Sequence, residues 1–302
     1  MRRRIGYILL PVILLVAIVS CGRKKESAGE FIPSFSTYRM QTPEETPIPP
    51  EKREIFYGLL TPIEVCNIFN RLGVPYDEAS LNPVTNAANY MTSSKAALNL
   101  GVYGVDLGYL KIFRKNQDIF NYMLTVREMT GRLNIPESYL TEPIRRVEVD
   151  MDNPDSILVI MNRAYKMIED HLRTDGRQSV VGLMLMGGWI EAMHLATSLT
   201  YDETNPDPEV VQKIAEQKYT LTSLLSLMKN YYDDPMIVFY TKKLLFLKRY
   251  FDTFEIYFRK GDLEIDTSRQ ALVSTGSEMT ITVGTLNNIR DYVAKLRSEI
   301  VN

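Results

Sequence analysis

Residues 179–199, SVVGLMLMGGWIEAMHLATSL, hold a single charged side chain, Glu191, in 21 positions. A helix that is apolar round its circumference has no face to give to water, so it must be enclosed by other elements. A second stretch, AANYMTSSKAALNLGVYGVDLGYLKIF (residues 87–113), shows near-3.6 periodicity and carries Asp106 deep inside an apolar run. Its glycines, Gly101, Gly104 and Gly108, weaken helix intrinsically but do not redirect the pattern to strand. Two such stretches demand a chain long enough to wrap them.

The surrounding sequence supplies the wrapping. Thr61-Pro62-Ile63-Glu64 reads as a capping box with proline at the first helical position, and Gly73 followed by Pro75 ends that helix. Asn82-Pro83 opens the first apolar segment, and a further amphipathic helix is expected from Asn116 to about Thr130. Residues 134–152, interrupted by proline, read as a connector. Helices are then expected from the Asn153-Pro154 cap to about Thr174, from the Asn205-Pro206-Asp207-Pro208-Glu209 opening to about Tyr232, and from Asp234-Pro235 to about Phe254. The Thr/Ile/Val alternation near 280–283 allows a strand or extended loop, and Thr285 can cap a closing helix, TLNNIRDYVAKLRSEIV. The fold class expected is all-α: an antiparallel bundle of seven or eight helices over residues 53–302, with a small extended segment near the C-terminus. Shifting the chain by 85 residues places Ser94 on Ser179, Asp106 on Glu191, Tyr109 on His194 and Leu110 on Leu195. Two related helical hairpins are one reading of this; two buried helices of similar length are the other.

The first 21 residues, MRRRIGYILLPVILLVAIVSC, belong to a different logic. Three arginines, an apolar run too short and too proline-broken to span a bilayer, then small residues before Cys21 make an export signal ending in a lipobox. Lipidation of the Cys21 thiol would hold the chain on a membrane, and Gly22 in place of aspartate favours the outer membrane by analogy with the enterobacterial sorting rule. Residues 22–52, rich in charge, serine, glycine and proline, read as a flexible tether. Only Cys66 remains besides Cys21, so an internal disulfide framework is excluded, and Cys66 reads as a small buried hydrophobe. Net charge is −2 with both signs intermixed, which argues against nucleic acid as a partner.

Two buried acids are the most informative candidates for function. A carboxylate inside an apolar stretch must be paired, hydrogen-bonded or protonated. Asp106 and Glu191 could therefore face each other in the core, supported by Tyr103, Tyr109, Trp189 and His194, as a site for a cation or small polar ligand. Alternatively they pair with Lys95, Arg114 or another base. Glu191 and His194 also form an E-x-x-H pair of the kind that ligates metal in di-iron bundles, but the second such pair is missing, since the chain has only His171 and His194. A mononuclear divalent metal on Asp106, Glu191 and His194 is the rival; no cofactor is expected otherwise, and no hydrolase elbow or H-E-x-x-H zinc motif occurs. The glycines at 101, 104 and 108 line one side of a helix and read mainly as close helix packing, with approach of a ligand as the alternative, and Gly187-Gly188 are grouped with Trp189 as supporting residues. The aromatic helix with Phe239-Tyr240, Tyr250-Phe251 and Phe254 reads mainly as core, with a stacking surface as the alternative.

On LNLGVYGVDLGY, GGWIE and the lipobox, the chain resembles uncharacterised all-helical lipoproteins of the Bacteroidetes group. The resemblance covers residues 55–300 or so. It implies an envelope location and a helical fold, and it brings no catalytic residues. The function expected is a lipid-anchored envelope protein, more binding or scaffolding module than enzyme, with an envelope protein or small molecule as partner.

Overall fold

In the computed structural model, residues 53–56, 69–149, 154–258, 263–267, 271–274 and 277–302 are described. The chain divides into two units, 1–33 and 34–302, and every described residue belongs to the second. Cys21, the tether, the Thr61–Glu64 cap, Cys66 and the Asn153 cap lie outside the described residues.

The fold is predominantly helical. Strand β1 (Arg53–Phe56) is followed by the end of a helix at residues 69–72, which stops at Gly73 in the left-handed region, φ 62°. Two 3-10 turns, Glu78–Ser80 and Val84–Asn89, lead into α1 (Ser93–Ile112), α2 (Asn116–Arg132), α3 (Ser138–Val149), α4 (Pro154–Thr174), α5 (Gln178–Leu199), α6 (Pro208–Met228), α7 (Pro235–Phe251) and α8 (Val283–Val301). Between α7 and α8 lie β2 (Ile256–Phe258), β3 (Glu264–Asp266), β4 (Ala271–Ser274) and β5 (Ser277–Met279). These form two small antiparallel sheets, one ordered β1-β4-β3 with Arg53 opposite Ser274, the other pairing Ile256 with Met279.

The two apolar stretches become α1 and α5, and they are each other's main neighbours. Leu98 lies against Gly187, Gly101 against Gly188, and Asp106 beside Glu191, so the pair advance in the same direction through the centre. A Cβ on Gly101 would come closer than 3.0 Å to the Met184 carbonyl oxygen, and one on Gly187 equally close to that of Leu98. These glycines let two backbones touch. A Cβ on Gly188 would lie 3.3 Å from the Gly101 carbonyl oxygen, a milder contact, and one on Gly104 would meet nothing within 4 Å. By length and composition α5 could cross a membrane, but 72% of its apolar window is buried in the fold, which makes it a core helix.

Three local expectations are corrected. The segment after Pro83 begins as a 3-10 turn, and α1 starts only at Ser93, where Thr92 accepts from Lys95 N. Residues 138–149 are helix α3 despite Pro143, because the proline forfeits one backbone bond while Leu140 and Pro143 are buried on a helix that packs on α4. The closing helix is capped by Thr282, whose Oγ1 accepts from Thr285 N at 3.1 Å, so Thr285 lies inside it. Of the two forms allowed near 280–283, residues 280–282 take the extended loop, directly after the strand Ser277–Met279. Within the opening Asn205–Glu209 the cap is Asp207, and Asp234 caps α7, each accepting from backbone N–H groups of the first turn.

Candidate functional site

The polar centre of the molecule is built on α1, α5 and α8. Asp106 and Glu191 are both wholly buried, and Arg297 of α8 reaches them. Arg297 donates from Nε to Glu191 Oε2 at 3.1 Å and from Nη2 to Glu191 Oε1 at 3.3 Å, a two-pronged pair. Its Nη2 also donates to the Ser80 carbonyl at 3.0 Å. Asp106 Oδ2 accepts from Asn82 N at 3.2 Å. Arg297 thus grips Glu191 directly and lies close enough to Asp106 for its charge to act on both buried acids.

Charge balance decides the protonation state. Burial pushes the Asp106 carboxyl well above the ordinary carboxylate range, the neighbouring Glu191 charge pushes it further, and Arg297 only partly opposes them. Glu191 is also raised by burial, but Arg297 and a hydrogen bond from Asp106 work to keep it ionised. Among the described residues no donor reaches Asp106 Oδ1. Two carboxylates cannot share a hydrogen bond unless one carries a proton. A neutral Asp106 that donates to an ionised Glu191, itself held by Arg297, satisfies all three groups.

A second polar layer surrounds this centre. Asn82 Nδ2 donates to Tyr90 Oη and to Asn99 Oδ1, both at 3.1 Å. Asn99 Nδ2 donates to the Ile300 carbonyl at 3.0 Å, and Tyr90 Oη to the Val301 carbonyl at 2.8 Å. These are carbonyls of the last turn of α8, which no intrahelical donor can satisfy. Tyr103 Oη donates to the Pro83 carbonyl at 3.0 Å, and Tyr109 Oη to that of Pro75 while accepting from Asp77 N at 2.7 Å. The chain from 75 to 90 is therefore pinned to α1, and the C-terminus to both.

The expected site residues separate into two groups. Asp106 and Glu191 are brought together, with Tyr103 and Tyr109 close along α1 as anchors of the 75–90 segment. Trp189 is turned to α6, its Nε1 donating to Gln217 Oε1 at 3.2 Å. His194 is half-buried on α5, with Nδ1 3.2 Å from Ser198 Oγ. Burial first, and Arg297 second, lower its pKa to about 4. Gly101, Gly187 and Gly188 serve the helix crossing; Gly108 is buried in α1, and Gly104 borders open space. Among the described residues no three His, Cys, Asp or Glu side chains assemble as a metal-holding group. A cleft of about 420 Å³, open to solvent, lies between residues 69–72, α5 and α6, and none of Asp106, Glu191 or His194 lines it.

The partner of the acids is neither Lys95 nor Arg114 but Arg297. Nothing local marks Arg297, one base on an amphipathic helix 106 residues beyond Glu191. Asn99 was findable: an amide inside AALNLGVYG breaks an apolar run just as Asp106 does. No family model, curated protein or solved structure matches the chain.

Proposed function

We propose that this chain is a lipid-anchored protein of the bacterial envelope, placed on the outer membrane by its Gly22, whose helical domain works as a non-enzymatic binding or scaffolding module. The lipobox at Cys21 and the resemblance to Bacteroidetes helical lipoproteins support the location. The observation that carries the non-enzymatic reading is the enclosure of the acid pair: Asp106 and Glu191 have no exposed surface, Arg297 holds both oxygens of Glu191, and Asn82 N holds Asp106 Oδ2. An acid pair serving catalysis or metal binding needs a path for substrate or ion. Here the pair serves to join three helices. Two related helical hairpins, α1–α2 and α5–α6, are part of the same proposal, supported by Asp106 and Glu191 meeting at the offset of 85 that aligns the two segments.

The test is an intact-mass measurement on protein purified gently from its own envelope fraction, under native and denaturing conditions. A chain beginning at Cys21 with acyl groups, and no further small species in the native state, is the expected result. A chain that begins at Met1 without lipid would overturn the anchor. A reproducible extra mass, lost in Asp106→Asn or Glu191→Gln, would overturn the structural role of the acids in favour of the metal or ligand rival.

A further inference from the structure

Helix α7, PMIVFYTKKLLFLKRYF, carries four basic residues and no acidic one. Its inward face, Ile237, Tyr240, Thr241, Leu244, Leu247 and Phe251, is buried and already meets the needs of the core. The opposite face should then be polar. Instead Phe239 is 49% exposed, Leu245 45% and Phe246 40%. They alternate with exposed Lys242 and Arg249, so positions 239, 242, 245, 246 and 249 form one outward stripe at helical spacing. Cations lie over the rings: Lys243 Nζ is 4.8 Å from the Phe239 ring centre and the Arg249 guanidinium 5.4 Å from that of Phe246. Lys243 and Lys248 are neutralised by Glu299 and Asp252, whereas Lys242 and Arg249 point out beside the apolar groups.

We propose that this face of α7 docks on an anionic lipid surface. Apolar side chains flanked by cations on one helix face are what an interfacial helix presents to acyl chains and acidic headgroups. The stripe spans 11 residues, roughly 15 Å of helix, enough to set an orientation. Anchorage itself is assigned to the lipid on Cys21, and the inference rests on that reading. On that reading 31 residues, 22–52, separate Cys21 from the helical domain, and a chain of that length spans at most about 110 Å. The lipid holds the chain; the stripe decides which side of the domain is covered and which side remains open to partners.

The experiment is hydroxyl-radical footprinting of the full chain on vesicles. One set contains equal parts phosphatidylglycerol and phosphatidylcholine, the other phosphatidylcholine alone. Oxidation of Phe239, Leu245 and Phe246 is expected to fall about threefold or more on the anionic vesicles only, and to recover at about 0.5 M salt as the charges are screened. Met91 and Tyr257, which are 73% and 56% exposed outside the stripe, report general exposure and should not change. The double substitution Lys242→Glu with Arg249→Glu, both on the surface, should abolish the protection. Equal oxidation on both vesicle types overturns the proposal. So does protection that appears without vesicles and grows with protein concentration, which would make a second copy the occupant. An intact mass from the same sample separates this from the anchor reading: stripe protection without acyl mass keeps the stripe and removes the anchor, and acyl mass without protection does the reverse.

Discussion

At the scale of single residues, the three groups at the centre are not equivalent, and their roles are separable. If Asp106 is the neutral member, an amide can replace it: Asparagine still donates to Glu191 and accepts from Asn82 N. Asp106→Asn is therefore expected to change stability by less than about 1 kcal/mol below about pH 4, where both states hold the proton, and to stabilise the protein at neutral pH, where the unfolded chain has released it. Arg297→Met leaves Glu191 buried without a counter-charge and the Ser80 carbonyl without a donor, a loss of about 3–5 kcal/mol. Part of that loss should be recovered in mild acid, where Glu191 can be protonated. Urea unfolding of the two variants beside the parent protein measures both numbers. Equal, large losses would mean that Asp106 is an ionised partner of Arg297 and that the shared proton is wrong.

At the scale of elements, the α1–α5 crossing is set by where a Cβ is tolerated. Gly101→Ala and Gly187→Ala each drive a methyl into the opposing backbone, which no rotamer change relieves, so each should cost about 3 kcal/mol or more or prevent folding. Gly104→Ala enters open space in the same helix and should stabilise by up to about 1 kcal/mol through helix propensity. Thermal unfolding of the three variants checks the contrast, and a harmless Gly101→Ala would mean that the helices do not touch there. The sequence made this crossing legible as close packing but did not rank its glycines, because spacing along α1 does not say which side α5 occupies. Helix bounds followed from local chemistry where a cap was unambiguous, as at Asp234-Pro235. Reading failed where a local preference was outweighed: Pro143 argued for a connector, and burial of Leu140 argued more strongly for α3.

At the scale of the whole molecule, the centre joins segments that no local pattern connects. The burial of Asp106 and Glu191 was legible because each breaks an apolar run; their link to Arg297, and the link of Asn99 and Tyr90 to the chain end, are tertiary and left no mark on the sequence. Their joint effect belongs to the folded chain as a pH profile. His194, with its pKa lowered to about 4 from 6.5, binds its proton later in the folded state than in the unfolded one. Its contribution is complete above pH 6.5 and is lost as pH falls towards 4, by about 2 kcal/mol once partial exposure of the ring is discounted. Asp106 and Glu191 act with the opposite sign. Their raised values mean that the folded state holds protons the unfolded state has released, so their contribution is lost as pH rises out of the carboxylate range. Between pH 4 and 6.5 the two slopes oppose, and the parent protein should show a shallow dependence of its urea midpoint on pH. His194→Gln removes one slope, so its midpoint should fall as pH rises; Asp106→Asn removes most of the other, so its midpoint should climb steeply with pH. Profiles of both variants that run parallel to the parent would show that neither group titrates differently in the folded chain, and that the centre is held together by packing alone.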